Sequence, residues 1–202
     1  MFSLRTFRKL YNINKNMETI KTLISRRSNS QLIEPIPSKD EMKLVYQAAF
    51  RAPDHSWLRP WRFIEVTGSG RNKLGQAFVN SVKKIEDIDE ERENKILALP
   101  MRSPMIIIII AEIVDKPNVP RLEQIQSTAA ATQNILLALH DMGYAAYWRT
   151  GKYSTENNKF ISSELSLNNN AEVLGYLYVG TPSKEPREAP SLEQENYVSV
   201  WN

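Results

Sequence analysis

The run "PMIIIIIAEIV", residues 104–114, constrains the fold more than any other stretch of the chain. Five consecutive isoleucines show no polar alternation, so a strand made of them is buried on both faces of its sheet. The run is too short to span a bilayer, and Pro104 and Asp115 close it. A chain of 202 residues with 42% hydrophobic content can cover such a strand within one domain.

The covering elements can be read around it. Met17, Ile20, Leu23 and Ile24 share one face of a predicted first helix, capped by Asn16 and broken at "RRSNSQ", residues 26–31. Ser38 followed three residues later by Glu41 is a capping box. The helix it opens has Leu44, Val45, Ala48 and Ala49 as its apolar face and is stopped by Pro53. "WRFIEVT", residues 61–67, predicts a strand. A long helix is expected from Arg71 to about Leu99, with "KKIEDIDEEREN" as a solvated face or a lid. "PRLEQIQSTAAATQNILLALHDMG" reads as a long, Ala-rich, buried helix ending at Gly143. "YAAYWRTG" reads as a strand running into a loop, residues 155–165 as a short helix, and "AEVLGYLYVG" as the last strand. The tail is polar but ends in Tyr197, Val198, Val200 and Trp201, as an arm that docks would. Helices and three or four strands in mixed order define one α+β or α/β domain.

Composition excludes several kinds of chemistry. The chain has no cysteine, so disulfides, thiolate catalysis and Cys-ligated metals are absent, which fits a cytoplasmic protein. Its two histidines, His55 and His140, lie far apart, and no metal site is expected. The net charge of +3 is concentrated in residues 1–16, which carry Arg5, Arg8, Lys9, Lys15 and no acid; the remainder has −1. A nearly neutral body argues against a nucleic-acid partner. Residues 1–16 could be a targeting peptide, a surface-binding arm, or a disordered leader in front of the fold. The last reading is preferred, because Met17 opens a helical pattern by itself.

No loop in the sequence is built to cradle a phosphate with backbone alone. "GSGRNKLG" follows a strand and opens a helix, but a dinucleotide fingerprint needs glycine at 73, where this chain has lysine. A bound phosphate would therefore be held by side chains, for which arginine is best suited. Three polar segments offer arginines: Arg26, Arg27 and Ser28; Arg51 and His55 within "RAPDHSWLRPW"; and Trp148, Arg149 and Thr150. Singly, each has a plainer role. Arg26 and Arg27 can neutralise a helix C-terminus, His55 can cap a loop, and Trp148 can be core.

In combination these segments resemble the FMN-dependent nitroreductase family, nearest its small bacterial YdjA-type branch, from Met17 to about Gly180. The likeness rests on "RRS" at Arg26–Ser28, "RAPDH" through "PW" at Arg51–Trp61, "VPRLEQ", "WRTG" at Trp148–Gly151 and "GYLYVGTP" at residues 175–182. Arg59 and the segment 85–99 depart from the family pattern. The resemblance implies an α+β fold with a central mixed sheet flanked by helices. It implies a homodimer with an extended C-terminal arm and two FMN sites shared between the chains. The FMN contacts it implies are Arg26, Arg27, Ser28, Arg51, His55, Trp148, Arg149 and Thr150. It also implies ping-pong chemistry on flavin N5, with NADH or NADPH as donor, a nitroaromatic or quinone as acceptor, and no catalytic side chain. A flavin-sequestering protein with little turnover would carry the same contacts.

Overall fold

A computed structural model describes residues 19–184 and 190–201. The expected leader, residues 1–16, lies outside the described residues, as do Asn16 and Met17.

The isoleucine run forms the central strand β3, Met105–Glu112. It pairs with β2, Trp61–Thr67, on one side and with β5, Ala171–Pro182, on the other. The far side of β5 is shared by β4, Ala145–Arg149, and a two-residue strand β1, Leu32–Ile33. All four pairings are antiparallel, so within one chain the described sheet is not the mixed one that the family likeness implied.

Successive side chains of a strand point to opposite faces. Ile106, Ile108 and Ile110 enter one layer and Met105, Ile107 and Ile109 the other, each 2% exposed or less. The first layer is closed by α3 (Gly70–Lys83), α4 (Glu90–Leu97) and α6 (Ile161–Glu164), through Leu74, Phe78, Val82, Ile96 and Ile161. The second is closed by α2 (Lys39–Ala49) and α5 (Arg121–Asp141), through Met42, Val45, Ala49, Ile135 and Leu139. The expectation of a doubly buried strand therefore holds. Fully burying one such side chain contributes about 1.5–3 kcal/mol, which makes β3 the main stabilising element.

Helix boundaries follow local chemistry. At α2 the Ser38 hydroxyl accepts from Glu41 N at 3.3 Å, and the Glu41 carboxylate accepts from Ser38 N at 2.8 Å, completing the capping box. Gly143, with φ +87°, follows the end of α5 as expected. The single helix expected over 71–99 is instead two. Asp89 accepts from Arg92 N at 2.8 Å and starts α4 anew, so the chain doubles back over the sheet. Gly75 lets this happen at close range, since a Cβ there would lie 2.8 Å from the Leu97 carbonyl oxygen. The expected helix over 155–165 shrinks to Ile161–Glu164, because the Asn158 side chain accepts from Phe160 N and holds a turn.

The first helix, α1 (Thr19–Ser25), departs most from expectation. Its apolar residues Ile20, Leu23 and Ile24 face outward, and Thr22 is the one buried residue. The described tail residues are exposed as well, Trp201 completely.

Candidate functional site

The arginine triplet leaves the end of α1. Arg26 N donates to Thr22 O at 3.2 Å, and Asn29 N donates to Ala146 O at 3.2 Å. That second bond fastens the segment to β4, the strand that ends in Trp148 and Arg149. Arg26 and Arg27 are half-buried and Ser28 is exposed. The fold thus brings the first and third sequence segments to one edge of the sheet.

Along β4 the side chains alternate. Trp148 packs into the layer of α2 and α5, and its Nε1 is buried without a partner. Arg149 faces the other layer, near Tyr153 and Tyr178. Burial raises the pKa of both phenols, and the Arg149 cation opposes the rise. Arg102 acts on Tyr178 in the same sense. It is a cation that the sequence reading missed, since nothing in "MRSP" marks it. Thr150 is exposed, and Gly151 turns the chain with φ +63°.

The opposite strand β5 makes room for this segment. Its pairing with β3 is irregular between Ile109 and Ile110, opposite Gly175. Gly175 has φ +147°, and a Cβ there would lie 2.6 Å from Trp148 Nε1 and 2.7 Å from the Arg149 carbonyl oxygen. Only glycine permits this approach.

The "RAPDHSWLRPW" segment is elsewhere. Arg51 lies just beyond α2, exposed. Beyond Pro53 the backbone twists, with Ser56, Trp57 and Arg59 all at positive φ. Such left-handed residues are uncommon outside glycine and cluster at functional loops. His55 Nδ1 lies 2.6 Å from Glu123 Oε2, at the start of α5. The Arg59 guanidinium sits 5.1 Å from the Trp57 ring centroid, and Trp61 is buried as β2 begins. A cavity of ≈ 620 Å³ opens beside this loop, lined by Tyr46, Phe50, Arg59, Trp61, Arg62 and Phe63.

Within one chain, the two arginine-bearing regions lie at opposite ends of α5. The Ser25 hydroxyl meets His140 Nε2 at 2.9 Å near its C-terminus, while His55 meets Glu123 near its N-terminus. From 123 to 140 the helix rises about 25 Å, at ~1.5 Å per residue. The structure therefore unites Arg26, Arg27, Ser28, Trp148, Arg149 and Thr150, and separates them from His55; Arg51 lies between, its backbone N–H on the Ala48 carbonyl that also accepts from Asn134 partway along α5.

The donor set suits an anionic, planar cofactor. Among the described residues no carboxylate forms an ion pair with Arg26, Arg51 or Arg149. A buried indole N–H lacks an acceptor beside them. No group of three or more His, Cys, Asp or Glu side chains among the described residues could hold a metal, and no described helix is long and apolar enough to cross a membrane.

An antiparallel α+β sheet with arginines at one edge defines a protein suited to an anionic ligand. The particular family follows from residues 23–181, which match the pattern of the Nitroreductase family; the chain belongs to that family and is an oxidoreductase. It is 30% identical to YdjA of Escherichia coli (strain K12), assigned as an NAD(P)H nitroreductase, over 166 residues, covering 82% of this chain and 89% of the relative. A similarly assigned protein of Haemophilus influenzae (strain Rd) is 30% identical over 185 residues, covering 91% and 99%. Among solved structures, a nitroreductase-like family protein from Bacillus cereus superposes with a TM-score of 0.78 at 22% identity, covering 93% of this chain and 98% of that one. The FMN and NADPH-dependent nitroreductase NfnB from Sphigopyxis sp. strain HMH superposes with a TM-score of 0.70 at 14% identity, covering 92% and 100%.

Proposed function

We propose that this protein is an FMN-dependent NAD(P)H oxidoreductase that passes electrons to a small acceptor such as a nitroaromatic or quinone. The observation that carries the reading is the edge formed by β4 and the triplet. There, Arg26 and Arg149, which form no ion pair with a carboxylate among the described residues, stand beside a buried indole donor in a chain of the Nitroreductase family.

Arg26 and Arg27 hold the FMN phosphate through charge-assisted hydrogen bonds. Ser28 and the Trp148–Thr150 segment border the rest of the cofactor. Bound FMN supplies the two-electron exchange between the nicotinamide donor and the acceptor. The surrounding arginines favour an anionic cofactor over a neutral one. No side chain is assigned as a proton donor.

The separation along α5 has a consequence for assembly. If His55 also contacts the cofactor, a second copy of the chain can supply it, in a homodimer with two shared sites.

The absorbance spectrum of the purified protein, with identification of the released chromophore, tests the cofactor. Steady-state NADH and NADPH consumption with a nitroaromatic and a quinone tests the activity. Flavin binding without acceptor-dependent consumption would favour a sequestering protein instead. A colourless protein that fails to quench FMN fluorescence would overturn the reading.

A further inference from the structure

Helix α1 is poorly held by apolar packing. Ile20, Leu23 and Ile24 face away from the chain, so burial does not fix its position against α5. Side-chain hydrogen bonds to the last residues of α5 fix it instead. The Thr22 hydroxyl donates to Asp141 Oδ1 at 3.1 Å, and Ser25 Oγ shares a hydrogen bond with His140 Nε2 at 2.9 Å. Ser25 is the last residue of α1, and Arg26 follows it directly. His140 therefore reaches the cofactor-facing triplet through one side chain and one peptide bond.

We infer that His140 is a positioning residue: its bond to Ser25 sets the direction in which Arg26 leaves α1, and thereby the recognition of the cofactor's phosphate. The inference rests on the flavin reading given above. Burial, followed by the neighbouring Arg26 charge, lowers the His140 pKa, and Asp141 opposes this. The ring is therefore neutral at neutral pH and adds no second charge beside Arg26. The geometry of the Ser25 bond, and not the charge of the ring, carries the positioning role. His140 belongs to neither the arginine triplet nor the β4 segment, and its role was invisible in the sequence because 115 residues separate it from Ser25.

Comparing FMN with riboflavin tests this, because riboflavin lacks the phosphate. Affinities are measured by fluorescence quenching on the full-length protein, with thermal midpoints as the fold control. His140→Ala should weaken FMN binding about tenfold and leave riboflavin binding unchanged, the size expected for losing one oriented hydrogen bond. His140→Gln, which can still bond Ser25, should restore most of the FMN preference. Ser25→Ala should match His140→Ala, and the double variant should be no worse than either single one. If His140→Ala does not fold, Ser25→Ala reports the same contact. Unchanged FMN preference in the folded alanine variants, or equal losses for FMN and riboflavin, would overturn the positioning role alone. A wild-type protein that binds neither flavin would overturn the flavin reading and this inference with it.

Discussion

A guanidinium without a carboxylate partner keeps its parallel N–H donors for a ligand. Among the described residues Arg26 is in that condition, half-buried at the end of α1. Lysine in its place keeps the charge but loses the bidentate geometry, and alanine loses both. FMN affinity is therefore expected to fall in the order wild type, Arg26→Lys, Arg26→Ala. The alanine change should cost on the order of 1.5–3 kcal/mol, the range for a hydrogen bond to a charged group. Equal affinities in titrations of the three proteins would remove Arg26 from the site. Gly175 acts at the same scale from the opposite strand. Alanine there meets the Arg149 carbonyl oxygen at 2.7 Å and a φ of +147° that disfavours any Cβ. Gly175→Ala should lower stability on the order of 3 kcal/mol and weaken FMN binding by displacing Trp148–Thr150. Urea unfolding and FMN titration measure the two effects. Wild-type stability in this variant would show that the bulge relaxes freely.

Elements inherit their limits from such residues. Asp89 divides what charge patterning presents as one helix, because its carboxylate caps α4 at Arg92 N. Asp89→Ala should lower the thermal midpoint by about 2–4 °C, for a cap worth about 1 kcal/mol in a chain of this size, with FMN affinity unchanged. A change in FMN affinity at constant midpoint would instead make α4 part of the site. The break was hidden from the sequence reading because "KKIEDIDEEREN" contains no glycine or proline, and aspartate there reads equally as a solvated helix face. Features governed by local chemistry were legible: the capping box at Ser38, the strand over 61–67, the buried isoleucine strand and the end of α5 at Gly143. Features governed by distant partners were not. The outward apolar face of α1 reads the same as an inward one, since periodicity shows that a face exists and not what covers it. The two-residue strand β1 has no pattern of its own and exists because β5 extends past β4. Likewise the three arginine segments could be picked out only as candidates, and the placing of the Arg26 triplet and His55 at opposite ends of α5 is a property of the fold.

At the scale of the whole molecule, the proposed shared-site dimer can draw on that division and on the exposed apolar residues of α1 and the tail. Ile20, Ile24, Val200 and Trp201 are each more than two-thirds exposed in the single chain, as residues covered by a partner would be. A two-fold dimer can cover them while placing the His55 end of one α5 beside the Arg26 end of the other. The arrangement is testable by mixing two defective chains, one carrying Arg26→Ala and the other His55→Ala. Each substitution should be severe enough that its homodimer binds no FMN; if alanine leaves residual binding, Arg26→Glu and His55→Glu replace it. In a heterodimer with shared sites, both lesions fall in one site, because each site takes Arg26 from one chain and His55 from the other. The second site then receives both residues intact. Purified heterodimer should therefore regain about one FMN per two chains, by the symmetry of a two-fold dimer. Had each site been built within one chain, each would retain a lesion and binding would not return. That outcome in a verified heterodimer, with both homodimers folded, would place Arg26 and His55 in the same site of one subunit. The ~25 Å of helix between their anchoring contacts would then be spanned within one subunit, by the cofactor with both side chains or by movement of α1 or of the 51–61 loop.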